Sequence, residues 1–271
     1  MNSPNATTDR EPLILQERKG SIAHLTLNRP SQFNALSEQM LAALHAALEA
    51  VAADSSVRVV VLGGAGKAFC AGHDLKQMQA NPSLAYYQRL FDDCSRIMLR
   101  IQSLPQPVIA RVHGIATAAG CQLVAMCDLA IAADDARFAV SGINVGLFCA
   151  TPSVALTRNV GRKAAFEMLV TGEFIDAATA VQRGLINRCV APDRLDSEID
   201  RLTAAIVAKP PSAIAGGKAL FYCQLELGVA AAYRLAGQSM ADNMMDDVAQ
   251  EGVLAFIDKR APDWKLDHGK P

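Results

Sequence analysis

Residues 114–122 read Gly114-Ile115-Ala116-Thr117-Ala118-Ala119-Gly120-Cys121-Gln122, a run of small residues leading into a short apolar helix expected over 118–126. Small residues at a helix start let a ligand or a second loop approach the backbone. The first N–H groups of a helix have no partner inside it and point outward. A second stretch has the same character: Phe69-Cys70-Ala71-Gly72-His73-Asp74-Leu75 leaves an apolar strand and turns into a short helix. Two such loops meeting would supply two backbone donors for a carbonyl oxygen that develops negative charge. Each loop alone is a weak signal; the pair, at this spacing, is a strong one.

Outward from these loops the chain alternates strands and helices. Residues 21–27 read as a strand, with Leu13 to Glu17 as its partner across a Lys19-Gly20 turn. Ser37 is placed to cap a helix whose Met40, Leu41, Leu44, Leu48 and Val51 share one face. Arg58 to Leu62 is a buried strand ended by Gly63-Gly64-Ala65-Gly66. A helix is expected over 83–103, with further strands over 107–112, 129–132 and from Phe138 to Val140. From Pro152 onward the pattern is mostly helical: 164–170, 177–183 and 195–208, a break at Lys209-Pro210-Pro211, then segments around 213–245 and 247–258. This alternation predicts an α/β fold. The expected organisation is a flexible N-terminus over 1–11, an α/β core over 12–200, and a helical region over 201–271 for docking or oligomerisation.

Composition narrows the function classes. The 271 residues carry 26 Lys+Arg against 27 Asp+Glu, a net charge of -1, so no general field draws in nucleic acid. At 51% hydrophobic the chain is not a disordered one. No apolar run is long enough to cross a membrane, and neither a secretory nor a transit pattern is present, which predicts a cytoplasmic protein. The seven cysteines form no CxxC pair and are expected to be reduced and mostly buried. The five histidines are scattered, so no zinc site is expected. A phosphate loop fails at Val61 and Ala68, and a dinucleotide fingerprint fails at Phe69.

The chain resembles the crotonase superfamily, the enoyl-CoA hydratase/isomerase family, from about Leu13 to Trp264. The residues that carry this are Leu25-Thr-Leu-Asn-Arg-Pro30, Asn34-Ala-Leu36, the 69–75 loop, the 113–128 stretch ending in Cys127-Asp128, Leu169-Val-Thr-Gly172 and Ala255-Phe-Ile-Asp-Lys-Arg260. It is most similar to the enoyl-CoA hydratase domain-containing branch. The resemblance implies repeated β-β-α units in two packed sheets, and C-terminal helices that build trimers or hexamers. It implies an acyl-CoA thioester as substrate, with coenzyme A part of that substrate and no other cofactor. It also implies an oxyanion hole from the backbone N–H groups of His73 and Ala119. Binding positions carry over to Arg29, Ala71, Gly72, Asp74, Leu75 and Lys76, and to Phe256 and Lys259 from a neighbouring subunit. Asp74 has a second reading, as the residue that closes the loop onto a helix N-terminus.

One departure stands out. Hydratases of this family use two glutamates, and the corresponding positions here are Gln122 and Gly142. Glutamine exchanges no proton at ordinary pH and glycine has no side chain. General acid–base groups typically contribute about 10²–10⁴-fold each, so ordinary hydration is not expected. Ser141, Asn144, Gln122 and the His73 side chain remain as polar groups near the reacting carbons. Three alternatives stay open. Decarboxylation of a malonyl-type thioester needs mainly the oxyanion hole, although Phe148 stands where that branch has tyrosine. A bicarbonate beside Gly142 would replace the carboxylate, although Val140 lacks the amide that such enzymes use. The third is a non-catalytic acyl-CoA-binding oligomer.

Overall fold

The computed structural model describes residues 11–264. The flexibility expected for 1–10, and His268, lie outside the described residues. An antiparallel hairpin opens the chain, β1 (Ile14–Lys19) and β2 (Ile22–Leu27), turning at Gly20 with φ 59°. Helix α1 (Glu38–Ala53) follows, its Ser37 side chain accepting from Met40 N as the sequence predicts. The chain then lays down strands in pairs: β3 (Val59–Gly64) and β4 (Ala68–Cys70), β5 (Val108–Val112) and β6 (Ile115–Thr117), β7 (Leu129–Ala133) and β8 (Arg137–Ala139). Each pair is followed by helix: α2 (Leu75–Ala80) and α3 (Leu84–Ser103), then α4 (Ala119–Met126), then α5 (Ala150–Asn159) and α6 (Arg162–Thr171).

The first strand of each pair joins one sheet and the second joins the other. With β9 (Ile175–Asp176) and β10 (Arg188–Val190), which flank helix α7 (Ala177–Gln182), the orders are β1-β2-β3-β5-β7-β10 and β4-β6-β8-β9. These are the repeated β-β-α units that the resemblance implied. Strand alternation explains how the larger sheet is covered on both faces. Val60 and Leu62 point into the main core with Phe69, Ala116 and Phe138. Val59 and Val61 point the other way, with Ile109 and Ile131, onto Leu195 and Ile199 of α8 (Leu195–Val207). Arg111 pins α8 with a 2.5 Å bond to Asp196.

Two differences from the sequence reading have local causes. The segment expected as one helix over 213–245 is two, α9 (Pro211–Leu225) and α10 (Val229–Met244), broken before Gly228. Strand β6 lies inside the small-residue run read as loop; three residues are too few to show a period. Helix α11 (Asp247–Ile257) completes the described chain. No helix among the described residues is long and apolar enough to cross a membrane.

The C-terminal helices are tied to the core by a buried charge cluster. Lys218 Nζ on α9 donates to Asp128 Oδ2 at 2.6 Å and to the carbonyls of Ile101 and Gln106 at 2.8 and 3.0 Å. Tyr222 donates to Asp128 Oδ1 at 2.7 Å, and Val108 N donates to Asp128 Oδ2 at 2.6 Å. Burial lowers the Lys218 pKa, opposed by Asp128. Removing one member of such a pair typically costs about 3–5 kcal/mol, because the other charge is left buried alone. Lys218→Met is therefore expected to lose about that much in urea unfolding, and the double variant D128N/K218M to lose less. Equal losses would show that the charge pair is not what ties α9 down.

Candidate functional site

The first loop is held from beneath by Asn34. Its side chain is fully buried, and Nδ2 donates to the carbonyls of Ala65, Ala68 and Phe69 at 2.9, 2.8 and 3.2 Å. Its Oδ1 accepts from Arg29 N at 2.9 Å, and its φ of 55° is one that asparagine tolerates better than most residues. Above it, Ala71 N donates to Phe33 O, Leu36 N to Gly72 O, and Asp74 N to Leu36 O. Residues 36 and 73 thus form a parallel bridge. In such a bridge the amide of the central residue faces away from its partner, and His73 N has no acceptor among the described residues.

The second loop delivers a matching donor. Ala118 N donates to Ala139 O at 3.0 Å, and the Ala118 backbone then turns to φ 51°, ψ −122°. Such a conformation in an alanine stores on the order of 1–3 kcal/mol. Ala119 follows as the first residue of α4, and its N–H has no acceptor among the described residues. The loops touch through glycines. A Cβ on Gly120 would lie 2.1 Å from Cys70 O, and a Cβ on Gly72 would lie 2.9 Å from Ala118 Cβ and 3.2 Å from Ala119 N.

A cavity of about 340 Å³ opens at this junction. Ala71, His73, Ala118, Ala119, Ser141 and Gly142 form one side, and Leu75, Met78, Phe91, Leu147, Phe148 and Pro152 are among the apolar residues of its wall. No aspartate, glutamate, lysine or arginine lines it among the described residues. A larger groove of about 690 Å³ beside α3 and α9 holds none of the expected site residues.

The other expected residues fall in several places. Ser141 lines the cavity, its Oγ 2.7 Å from Thr117 Oγ1. Gln122 is buried in α4, off the cavity wall, and its Oε1 has no partner among the described residues. Asn144 is not brought to the site: it is exposed and donates to Gly172 O at 3.3 Å, at the end of α6. The space expected beside Gly142 is also filled. A Cβ there would lie 2.6 Å from Leu147 O and 2.7 Å from Cys149 Sγ, and Gly142 N donates to that sulfur at 3.3 Å. A side chain cannot start at that point unless Leu147 O and Cys149 Sγ move. Cys149 is buried and also forms part of the wall.

Asp74 accepts from Lys76 N and Gln77 N and so caps α2. Its other oxygen is 3.2 Å from Arg29 Nη1, which couples the two loops on which these residues sit. The Lys76 side chain is exposed, and Phe256 and Lys259 are exposed at the end of α11. The His73 ring packs edge-on against Phe91, 5.5 Å between centroids, and neither ring nitrogen has a hydrogen-bond partner among the described residues. Burial pushes its pKa below the ordinary histidine value, opposed in part by the Leu36 backbone.

Two expectations follow from this geometry. Gly120→Ala must separate two backbones and is expected to cost at least about 2 kcal/mol by urea unfolding. Gly216→Ala, in α9 with nothing within 4 Å of its would-be Cβ, is expected to be neutral or stabilising by up to about 1 kcal/mol. If both variants behave alike, the loop contact is not tight. The His73 shift also carries a sign. The folded chain keeps the ring neutral at pH values where the unfolded chain binds a proton. Stability therefore falls as pH drops below about 6.5. His73→Phe is expected to flatten that slope, with the lowered His24 left to contribute the remainder. An unchanged slope would mean that His73 is not held neutral.

The model of the enoyl-CoA hydratase/isomerase family matches residues 17–267. Enoyl-CoA hydratase domain-containing protein 3 of Xenopus laevis is 44% identical over 253 residues, covering 93% of this chain and 86% of that one. A crystal structure of an enoyl-CoA hydratase from Mycobacterium smegmatis has a TM-score of 0.93 at 66% identity, covering 94% of this chain and 99% of its own. That of human enoyl-CoA hydratase domain-containing protein 3 has a TM-score of 0.90 at 41% identity, covering 93% and 100%. The frog, rat and human relatives are named as mitochondrial proteins, which overturns the expectation of a cytoplasmic location. The paired β-β-α units, the two glycine-packed loops and these matches together place the chain in the crotonase superfamily, the enoyl-CoA hydratase/isomerase family, in its branch of enoyl-CoA hydratase domain-containing proteins.

Proposed function

We propose that the chain binds an acyl-CoA thioester with its carbonyl oxygen between His73 N and Ala119 N, and that these donors stabilise an enolate. The observation that carries this is a pair of backbone N–H groups with no acceptor among the described residues, on two loops in backbone contact, both belonging to residues that line an apolar cavity. When a bond at the α-carbon breaks, its electron pair moves toward the thioester oxygen. Donors already in place stabilise that charge without reorganising, and one such donor typically contributes about 3 kcal/mol. Ala71, Gly72 and Leu75 shape the entrance. Arg29, held by Asp74, together with Lys76, Phe256 and Lys259 of a neighbouring copy, is assigned to the coenzyme end of the substrate.

The reaction is not ordinary hydration, because among the described residues no carboxylate lines the cavity, and Gln122 and Gly142 stand at the two glutamate positions. A reaction that forms the enolate by carbon–carbon cleavage, as decarboxylation does, asks least of these side chains. The same absence favours a second reading, an acyl-CoA-binding oligomer without turnover. The C-terminal helices suit assembly into a trimer or hexamer: α10 buries no residue, and Val229, Tyr233 and Met240 on it are 74, 77 and 69% exposed.

A kinetic and binding screen of the purified protein against enoyl-, 3-hydroxyacyl- and malonyl-type CoA thioesters tests this. The expected result is thioester binding with crotonyl-CoA hydration far below about 10 s⁻¹, the middle of the ordinary enzyme range. Hydration at ordinary rates would overturn the reading of positions 122 and 142. Binding without turnover across the panel would select the second reading. Failure of every thioester to bind would overturn the assignment of the cavity.

A further inference from the structure

The cavity holds one polar pair that the proposed chemistry does not use. Ser141 Oγ and Thr117 Oγ1 are 2.7 Å apart, and either atom can donate. Their surroundings decide which one does. Thr117 is buried on β6, and Ser141 is the only partner of its hydroxyl among the described residues. If Ser141 donated, the Thr117 proton would be stranded, and a buried unmade hydrogen bond is expensive. Thr117 therefore donates to Ser141. The Ser141 Oγ then accepts from behind and turns its own proton outward. Ser141 lines the cavity, so that proton faces a wall that is mostly apolar. A purely hydrocarbon acyl group would drive off water and leave this donor unpaired.

From this we infer that Ser141 is a specificity-determining residue that donates a hydrogen bond to an oxygen on the acyl group beyond the thioester carbonyl. The preferred substrate class is an oxygen-bearing acyl thioester, hydroxylated or ketonic, over the saturated hydrocarbon acyl of equal length. This rests on the acyl-CoA reading of the cavity given above. A site built around a hydrogen-bond donor rejects the analogue that lacks the acceptor, because the donor is then buried unpaired. Thr151 is the other hydroxyl on the wall, and it has no hydrogen-bond partner among the described residues to fix its direction.

Titration calorimetry with butanoyl-CoA, both enantiomers of 3-hydroxybutanoyl-CoA and 3-oxobutanoyl-CoA tests the inference. The unmodified protein is expected to bind at least one oxygenated thioester about fivefold tighter than butanoyl-CoA, the order that one neutral hydrogen bond contributes. In Ser141→Ala, and in T117V/S141A, which removes both hydroxyls and leaves neither stranded, that ratio falls to about one. In Thr151→Val the ratio stays. A preference that survives loss of the Ser141 hydroxyl, or no preference in the unmodified protein, overturns the role of Ser141 while butanoyl-CoA binding keeps the cavity reading intact. Failure to bind butanoyl-CoA or any of the others overturns both.

Discussion

The approach of the Cys70 carbonyl to the Gly120 Cα sets the geometry of everything around it. At a would-be Cβ distance of 2.1 Å no side chain fits between the loops, so two backbones lie in direct contact. Contact between backbones fixes position more tightly than contact between side chains, which have rotamers to choose from. The two amides that have no acceptor among the described residues are therefore placed by main chain alone. Side-chain chemistry near the site is free to change while the donors stay where they are. That freedom accounts for a chain that keeps the loops and has neither glutamate.

The sheets explain why the loops meet at all. Each strand pair sends its first member to the larger sheet and its second to the smaller. The ends of β4 and β6 then lie side by side in one sheet, and the loops leave from neighbouring strands. Asn34 supports the first loop from below with three hydrogen bonds, and the bridge from Leu36 orients the His73 amide. The strained Ala118 backbone turns the second loop toward the same point. Binding geometry is thus a property of topology and main-chain packing more than of any one reactive side chain.

Much of this was legible in the sequence. Small residues at a helix start, Ser37 as a cap and the facing leucines of α1 announce themselves through composition and period. The family motifs carried the two-sheet architecture. Other features were not legible, because they depend on contacts between distant segments. Nothing in the sequence near Gly142 shows that Cys149 and the Leu147 carbonyl fill the space beside it. Asn144 sits at a suitable spacing, yet Gly172 draws its side chain away. The Thr117–Ser141 pair joins residues on different elements, and neither hydroxyl is unusual by itself. The break before Gly228 could have been found, since a glycine inside a long helical pattern is a standing warning.

The chain carries 27 acidic residues, but among the described residues no carboxylate lines the cavity. The proposed site is an oxyanion hole without a carboxylate base, defined by where its groups lie. A crystal structure with a bound saturated acyl-CoA measures it most directly. The thioester oxygen is expected at about 3 Å from both His73 N and Ala119 N. No carboxylate is expected within hydrogen-bonding reach of the α-carbon or β-carbon. A thioester oxygen bound away from those two amides, or a carboxylate drawn into the cavity on binding, would contradict this arrangement.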